Sequence, residues 1–378
     1  MSWNYKTLNE LGTVSRGRSR HRPRNDKSLF CGRYPFIQTA DVKAANFYLT
    51  DYSETYNEKG LEQSKLWKAG TLCITIAANI ADTAILGIDA CFPDSIMGFV
   101  PFEGISNVKF IKYAFDMLQR DIKQISQGTA QDNLSWQKLE TIKFPAPDIK
   151  IQNKIAGILG TFDDLIDNNQ KQIKFLEEAA QRLYKEWFVD LRFPGYEETE
   201  LVNGVPKGWK KVYMPDIAPI VTGKKDANFG TDDGKYLFFT CSQEPIKAPS
   251  YSFDCDAVIL AGNGDFNVKL YRGQFEAYQR TYVFSPFNSE NLFLLYYAVK
   301  DNMRQLFQGA SGSTIKFLTK RMLEDITVFI PDGTTMYNFN NFCGVYQRKI
   351  EVLKQQINDA KEARDRLLPK LMSGEIEV

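Results

Sequence analysis

Histidine is almost missing from this sequence of 378 residues, in which His21 is the single example. Ser-His-Asp and Cys-His catalytic arrangements need an imidazole, and the one available sits among five arginines in a stretch that reads as a loop. The six cysteines, Cys31, Cys73, Cys91, Cys241, Cys255 and Cys343, include no C-x-x-C pair. That scatter argues against a zinc knuckle or a disulfide framework and leaves them expected as buried thiols. No apolar run approaches the roughly 18 residues that span a bilayer, and Met1 to Lys6 contain no apolar stretch of the kind that opens a secretory signal. A cytoplasmic location with no membrane association is the expectation. There is no G-x-x-x-x-G-K-[ST] phosphate loop, and no glycine-rich loop followed by Asn-Pro-Pro-Tyr or Asp-Pro-Pro-Tyr. ATP-driven translocation and adenine methylation are therefore not expected of this chain itself. Pro93-Asp94 with Asp121 and Lys123 resembles a nuclease grouping only as such short motifs do by chance.

An excess of charge of one sign is lacking too: 47 basic and 46 acidic side chains leave a net charge of +1. A nucleic-acid surface would have to be local. One segment qualifies, Arg16 to Arg24, which places Arg16, Arg18, Arg20, Arg22 and Arg24 close together with no acid among them.

The chain is internally repeated. An offset of 184 relates Leu139-Glu140 to Leu323-Glu324, Ile166 to Ile350, Ile173 to Ile357, Glu178 to Glu362, Arg182 to Arg366 and Leu183 to Leu367. Near the start of each half the offset is 206, relating Trp3 to Trp209, Val14 to Ile220, Gly17 to Gly223 and Arg18 to Lys224. The first half thus carries about 22 extra residues between the basic segment and residue 79. Gln127-Gly128-Thr129 faces Gln308-Gly309-Ala310 at a slightly shorter offset. Each half reads as a mixed α/β unit followed by a helix. Strands are predicted at Tyr34 to Thr39, Thr71 to Ala77, Lys235 to Thr240, Ala257 to Ala261 and Thr281 to Phe284 from β-branched and aromatic enrichment. Helices are predicted at Val108 to Gln119 and Asn291 to Phe307. Phe193 to Gly208, rich in Pro and Gly, reads as a connector without elements of its own.

The longer helices carry a heptad seam. Phe162, Ile166, Asn169, Ile173, Leu176, Ala180, Leu183 and Trp187 alternate at spacings of four and three, and Tyr346, Ile350, Leu353, Ile357, Ala360, Arg364, Leu367 and Leu371 repeat them. Asn169 and Arg364 interrupt the apolar stripe, as polar residues do when they fix register. Asp163-Asp164 and Glu177-Glu178 read as solvated faces or partner contacts. A helix from Phe162 to Phe188 would be about 40 Å long, close to the roughly 34–36 Å between half-sites one turn apart on B-DNA. Two similar heads held apart by such a rod suit a bipartite target.

At this point the motifs meet a known family. Trp209-Lys-Lys-Val-Tyr, Ile220-Val-Thr-Gly-Lys-Lys, the Gln-Gly loops, Leu139-Glu-Thr-Ile-Lys-Phe-Pro, Leu183-Tyr-Lys-Glu-Trp-Phe-Val-Asp and Arg366-Leu-Leu-Pro-Lys-Leu-Met-Ser-Gly-Glu resemble the specificity subunit of type I restriction–modification enzymes. The resemblance implies an α+β fold with two similar globular target-recognition domains in pseudo-twofold arrangement, joined by two long helices forming an antiparallel coiled coil. The first target-recognition domain would span 1–147 and the second 209–332, with helical spacers at 148–192 and 333–378 and a connector at 193–208. It implies a non-catalytic chain that binds double-stranded DNA and docks two methyltransferase subunits and restriction/translocase subunits. S-adenosylmethionine, ATP and Mg would be used by those partners, and this chain would bind no cofactor or metal. A two-headed protein adaptor without DNA recognition is the alternative, and a module detached from a single-chain enzyme is another.

The expected DNA-binding residues are Arg16, Arg18, Arg20, Arg22 and Arg24, for phosphates or guanine edges, with Lys224 and Lys225 in the equivalent place. Gln127, Thr129, Gln131 and Asn133 in one Gln-Gly loop, and Gln308, Ser311, Ser313, Thr314 and Lys316 in the other, can reach base edges or phosphates. Tyr184, Trp187, Phe188 and Met372 are expected as exposed apolar partner surface. With so little net charge, the isolated chain is expected to bind DNA weakly and to aggregate or dissolve poorly. A tight sequence-specific complex formed by the purified chain alone in a gel-shift titration would contradict this.

Overall fold

A computed structural model describes residues 3–76, 82–126, 136–264, 266–310 and 316–378. The chain forms two compact units, Met1–Lys171 with Leu353–Val378, and Gln172–Val352. Both boundaries fall inside long helices, Ile149–Tyr184 and Gly333–Met372. Each unit is therefore one α+β head together with a stretch of each helix.

In the first unit, five strands lie in the order Gly12–Arg16, Ile96–Pro101, Leu72–Thr75, Thr83–Leu86, Tyr48–Leu49. The central strands are buried on both faces because both faces are covered. Leu72, Ile74, Ile85, Met97 and Phe99 pack with Phe110, Ile111 and Phe115 of the helix Val108–Ser126. The alternate residues Cys73, Ala84, Leu86 and Ile96 pack with Trp67 and Phe92 on the other side, as the two-residue period of a strand requires. Beyond that face lies a second sheet of four strands, in the order Glu54–Tyr56, Phe30–Phe36, Ala90–Cys91, Leu66–Trp67.

The second unit repeats the larger sheet as Ile220–Thr222, Thr281–Phe284, Phe253–Ala261, Val268–Ala277, Tyr236–Phe239, with Ile246–Ala248 added at the edge. The two offsets reproduce this correspondence in detail. Tyr5 pairs with Pro145 and Lys6 with Phe144; Lys211 pairs with Phe329 and Val212 with Val328. The short helix Leu8–Leu11 becomes Met214–Ile217, Val108–Ser126 becomes Leu292–Gly309, and Trp136–Thr141 becomes Lys320–Glu324. In both sheets the fifth strand runs parallel to its neighbour, Tyr48 with Ile85 and Leu237 with Phe275. Asp148 and Asp332 each accept backbone N–H groups at the start of a long helix, from Lys150 at 2.8 Å and from Thr334 at 2.9 Å, so the same residue type starts both helices. The extra residues of the first half lie between Arg16 and Leu72, the stretch that supplies three of the four strands of the smaller sheet.

The helical seam packs as the heptad predicts: every residue of both stripes is buried or half-buried. The helices run antiparallel, since Asp163 meets Arg364 while Asn169 meets Gln356 in the first unit. Asn169 is 2% exposed and its Nδ2 donates to Gln356 Oε1 at 3.2 Å. Arg364 forms an ion pair with Asp163, which also accepts from the Tyr113 hydroxyl. Burial holds the Asp163 carboxyl above its ordinary range even beside that guanidinium.

Several expectations are corrected. The first long helix begins at Ile149, at the start of the expected spacer and ahead of the heptad seam at Phe162, because the Asp148 cap starts it. Asp163 is buried instead of solvated, since it answers the seam arginine, whereas Asp164 stays exposed and accepts from Tyr48 Oη at 2.8 Å. Tyr184, Trp187, Phe188 and Met372 are all buried. The first three pack around Phe339, with ring centroids 4.8 Å apart for Phe188, and Met372 joins the core of the first unit. The connector contains a hairpin, Leu201–Val202 against Val205–Pro206, turned by Asn203 and Gly204, both at positive φ; Asn-Gly is the pair that such a two-residue turn favours. Cys31 is exposed and Cys241 and Cys255 are half-buried, while Cys73, Cys91 and Cys343 are buried.

Arg364→Ala is expected to cost about 3–5 kcal/mol, because it strands a buried carboxylate, whereas Asp163→Leu with Arg364→Met should recover most of that loss. Denaturant melts followed by circular dichroism distinguish the two; equal losses would remove the ion pair from the account.

Candidate nucleic-acid interface

The basic segment leaves the first sheet at Arg16 and is pinned by its backbone. The Gly17 amide donates to Ile96 O at 2.8 Å and the Arg18 amide to Phe92 O at 3.0 Å. A Cβ on Gly17 would run into the carbonyls of Phe92 and Pro93, and one on Gly223 into the carbonyl of Ala277. This close approach explains why glycine precedes the basic residue in both halves.

The five arginines divide by what they touch. Arg18 is half-buried and its Nε donates to Ser64 O at 2.7 Å. Arg22 Nη1 donates to Ser19 O at 2.7 Å and His21 O at 2.8 Å. Arg24 pairs with Asp94 at 2.8 Å. Arg16 and Arg20 are exposed, and their guanidinium groups have no hydrogen-bond or ion-pair partner among the described residues. His21 Nε2 lies 2.8 Å from Asp26. The Ser28 amide and hydroxyl, with His21, hold the Asp26 carboxyl down at about 2. His21 thus braces the loop.

In the second unit Lys224 is exposed, and Lys225 is half-buried with its ammonium 4.4 Å from the Phe229 ring centre. Gln308 is exposed at the end of the helix Leu292–Gly309, and the Lys316 ammonium sits 4.1 Å from the Phe307 ring centre. Gln127, Thr129, Gln131 and Asn133, like Ser311, Ser313 and Thr314, lie outside the described residues.

Two cavities border these features. In the first unit a cleft of about 690 Å³ is lined by Arg24, Asn25, Lys27, Gln38 and Glu54 together with Phe30 and Phe36. In the second, one of about 670 Å³ lies between Phe266, Lys300, Arg304, Phe307 and Gln308. Sequence reasoning singled out only Arg24 and Gln308 of these. The others carry no motif; Gln38 and Glu54 are brought together because Phe36 pairs with Glu54 across two strands. Among the described residues, no group of three or more His, Cys, Asp or Glu is placed to hold a metal ion, and no helix is long and apolar enough to cross a membrane.

Residues 1–178 and 206–358 match the type I restriction modification DNA specificity domain. The chain belongs to that family. It is therefore a type I restriction–modification specificity subunit, a non-catalytic DNA-binding component, and this decides against a protein adaptor without DNA recognition. The chain is similar to the type I restriction enzyme MjaIX specificity subunit of Methanocaldococcus jannaschii, at 24% identity over 100% of this chain and 94% of that one. It is also similar to the EcoDI specificity subunit of Escherichia coli, at 36% identity over 44% of this chain and 36% of the other. Its fold resembles the crystal structure of the S subunit from M. genitalium, with a TM-score of 0.56, 16% identity, and coverage of 98% of this chain and 96% of that one.

Within the specificity subunit the arginines are expected to separate in stability measurements. Arg18→Ala removes charge-assisted bonds to the carbonyl of buried Ser64 and should lower stability by about 1.5–3 kcal/mol, whereas Arg16→Ala should stay within about 0.5 kcal/mol of the parent. Thermal denaturation of the two variants gives the comparison, and indistinguishable midpoints would contradict the division.

Proposed function

We propose that this specificity subunit recognises a bipartite, asymmetric site in double-stranded DNA, one half per head, with an unread spacer set by the helix pair. In this reading residues 1–147 and 209–332 are the target-recognition domains, 148–192 and 333–378 the helical spacers, and 193–208 the connector. The observation that carries it is the repetition of one frame, with five strands in the same order and the terminal strand pair in the same register, around one block that differs. A shared frame supports one docking mode on two half-sites, and the differing block supports two different sequences.

Arg16, Arg20 and Lys224 are the side chains free to neutralise phosphates; Arg18, Arg22 and Arg24 shape the loop that presents them. Lys225, Gln308 and Lys316 with Ser311, Ser313 and Thr314 would serve the second half-site, and Gln127, Thr129, Gln131 and Asn133 the first. Two adenine-N6 methyltransferase subunits would dock on the helices, and restriction/translocase subunits would join the full assembly. Ile158 and Phe342, 39% and 50% exposed, occupy positions related by the same offset of 184 and support two like docking points. S-adenosylmethionine, ATP and Mg belong to those partners. A cytoplasmic setting, where the DNA and these subunits meet, completes the reading.

Base-resolved N6-methyladenine mapping of DNA from cells expressing this chain with its methyltransferase is expected to give a split motif with a fixed spacer. Absence of such a motif would overturn the proposal. In binding assays on the assembled methyltransferase, Arg16→Ala with Arg20→Ala should flatten the dependence of log K on log salt by about 1.8, at roughly 0.9 for each phosphate that is no longer neutralised. An unchanged slope would take those two residues off the phosphates.

A further inference from the structure

The frame common to the two heads gives no means of telling one half-site from the other. In the first unit the differing block builds the four-stranded sheet, and the cleft beside it opens next to the basic segment. Among the described residues the second unit has no counterpart of this sheet. Along one side of the cleft, Gln38 Nε2 donates to Glu54 Oε2 at 2.6 Å. Both residues are half-buried. That contact orients the amide: its nitrogen must face the carboxylate while the Gln38 side chain also accepts from the Asp41 amide at the start of the helix Thr39–Ala44, leaving one amide N–H and the second carboxylate oxygen without a partner among the described residues.

We infer that Gln38 and Glu54 are specificity-determining residues of the first head and read an adenine in its half-site. The inference rests on the DNA-recognition reading above. Adenine presents an acceptor, N7, beside a donor, the N6 amino group, on its major-groove edge. The free N–H of Gln38 matches N7, and the unpartnered carboxylate oxygen of Glu54 matches the amino group. Guanine and thymine place a carbonyl oxygen there, facing the carboxylate, and leave a half-buried charge unpaired. Cytosine has the amino group but no N7. Beside Gln38 a phosphate is disfavoured because Glu54 is anionic; of the cations that line the cleft, Arg24 is answered by Asp94 at 2.8 Å and Lys27 is left to balance Glu54. Backbone contacts fall instead to Arg16 and Arg20 outside it.

The test uses the assembled methyltransferase and the mapping experiment above, with Gln38→Ala and the isosteric Glu54→Gln, alongside competition binding to duplexes varied one position at a time. Gln38→Ala should weaken the cognate duplex by about 5- to 150-fold, the range of one bidentate base contact, at a single adenine of one half-site. Glu54→Gln should weaken the cognate duplex, because one amide oxygen cannot accept from both Gln38 and the adenine amino group, and should admit guanine at that same position, since an amide N–H can donate to O6. The other half-site should be unchanged in both variants, which also shows that the protein has folded. If Gln38→Ala abolishes all methylation, Glu54→Gln decides alone. A split motif unaltered by Glu54→Gln, or altered only at a position that is not adenine, overturns the inference while the bipartite reading stands. No split motif from the parent chain overturns both.

Discussion

Both units of this protein depend on the pairing of two helices. Ile155 and Leu159 of the first helix meet Leu368, Leu371 and Met372 of the second in the core of one unit. Ala180 and Tyr184 meet Phe339 and Cys343 in the core of the other. A slip in register would therefore disturb two hydrophobic cores at once. An apolar seam alone tolerates slippage, because leucine packs nearly as well one turn along. Asp163 with Arg364, and Asn169 with Gln356, remove that tolerance: a misplaced register buries a charge without its partner. At the equivalent positions of the second unit stand Gln347 and Ala180, so the ion pair occurs once and marks one arrangement of two otherwise similar helices.

The balance of charge follows from the same economy of position. A net charge of +1 leaves no general attraction for DNA, and the conspicuous arginine run is mostly occupied with its own fold. Three of its five guanidiniums are tied to carbonyls or to Asp94, which gives the loop a fixed shape. The other two, Arg16 and Arg20, lie exposed with no partner among the described residues. A rigid loop carrying few free charges favours positioning over adhesion, as suits a chain whose task is to discriminate among DNA sequences.

The two heads share one frame around a block that differs. Strands and helices repeat where they hold the core, while the block between the basic segment and the third strand of the larger sheet differs: it supplies Tyr48–Leu49 to the edge of that sheet and builds most of the smaller sheet on its far face. Its four-stranded sheet has its own small core, with Leu29, Phe36, Tyr56 and Cys91. The block is also tied to the frame, since Ile37, Val42, Leu49 and Trp67 share a core with Cys73, Ala84, Leu86 and Ile96 of the larger sheet.

The repeat, its two offsets, the place of the insertion and the heptad seam were all legible in the sequence, because periodic burial is written directly into residue type. The motifs carried the family as well. The sequence was silent on who answers Arg364, since Asp163 lies one position off the seam and reads as a surface acid. It also misassigned Tyr184, Trp187 and Phe188: large apolar side chains on a helix look alike whether they meet a partner or their own head. It could not divide the arginines, nor bring Gln38 beside Glu54. Those outcomes depend on which residues distant in the chain come into contact, and strand pairing and the fold of a loop set such contacts through geometry that no local pattern records.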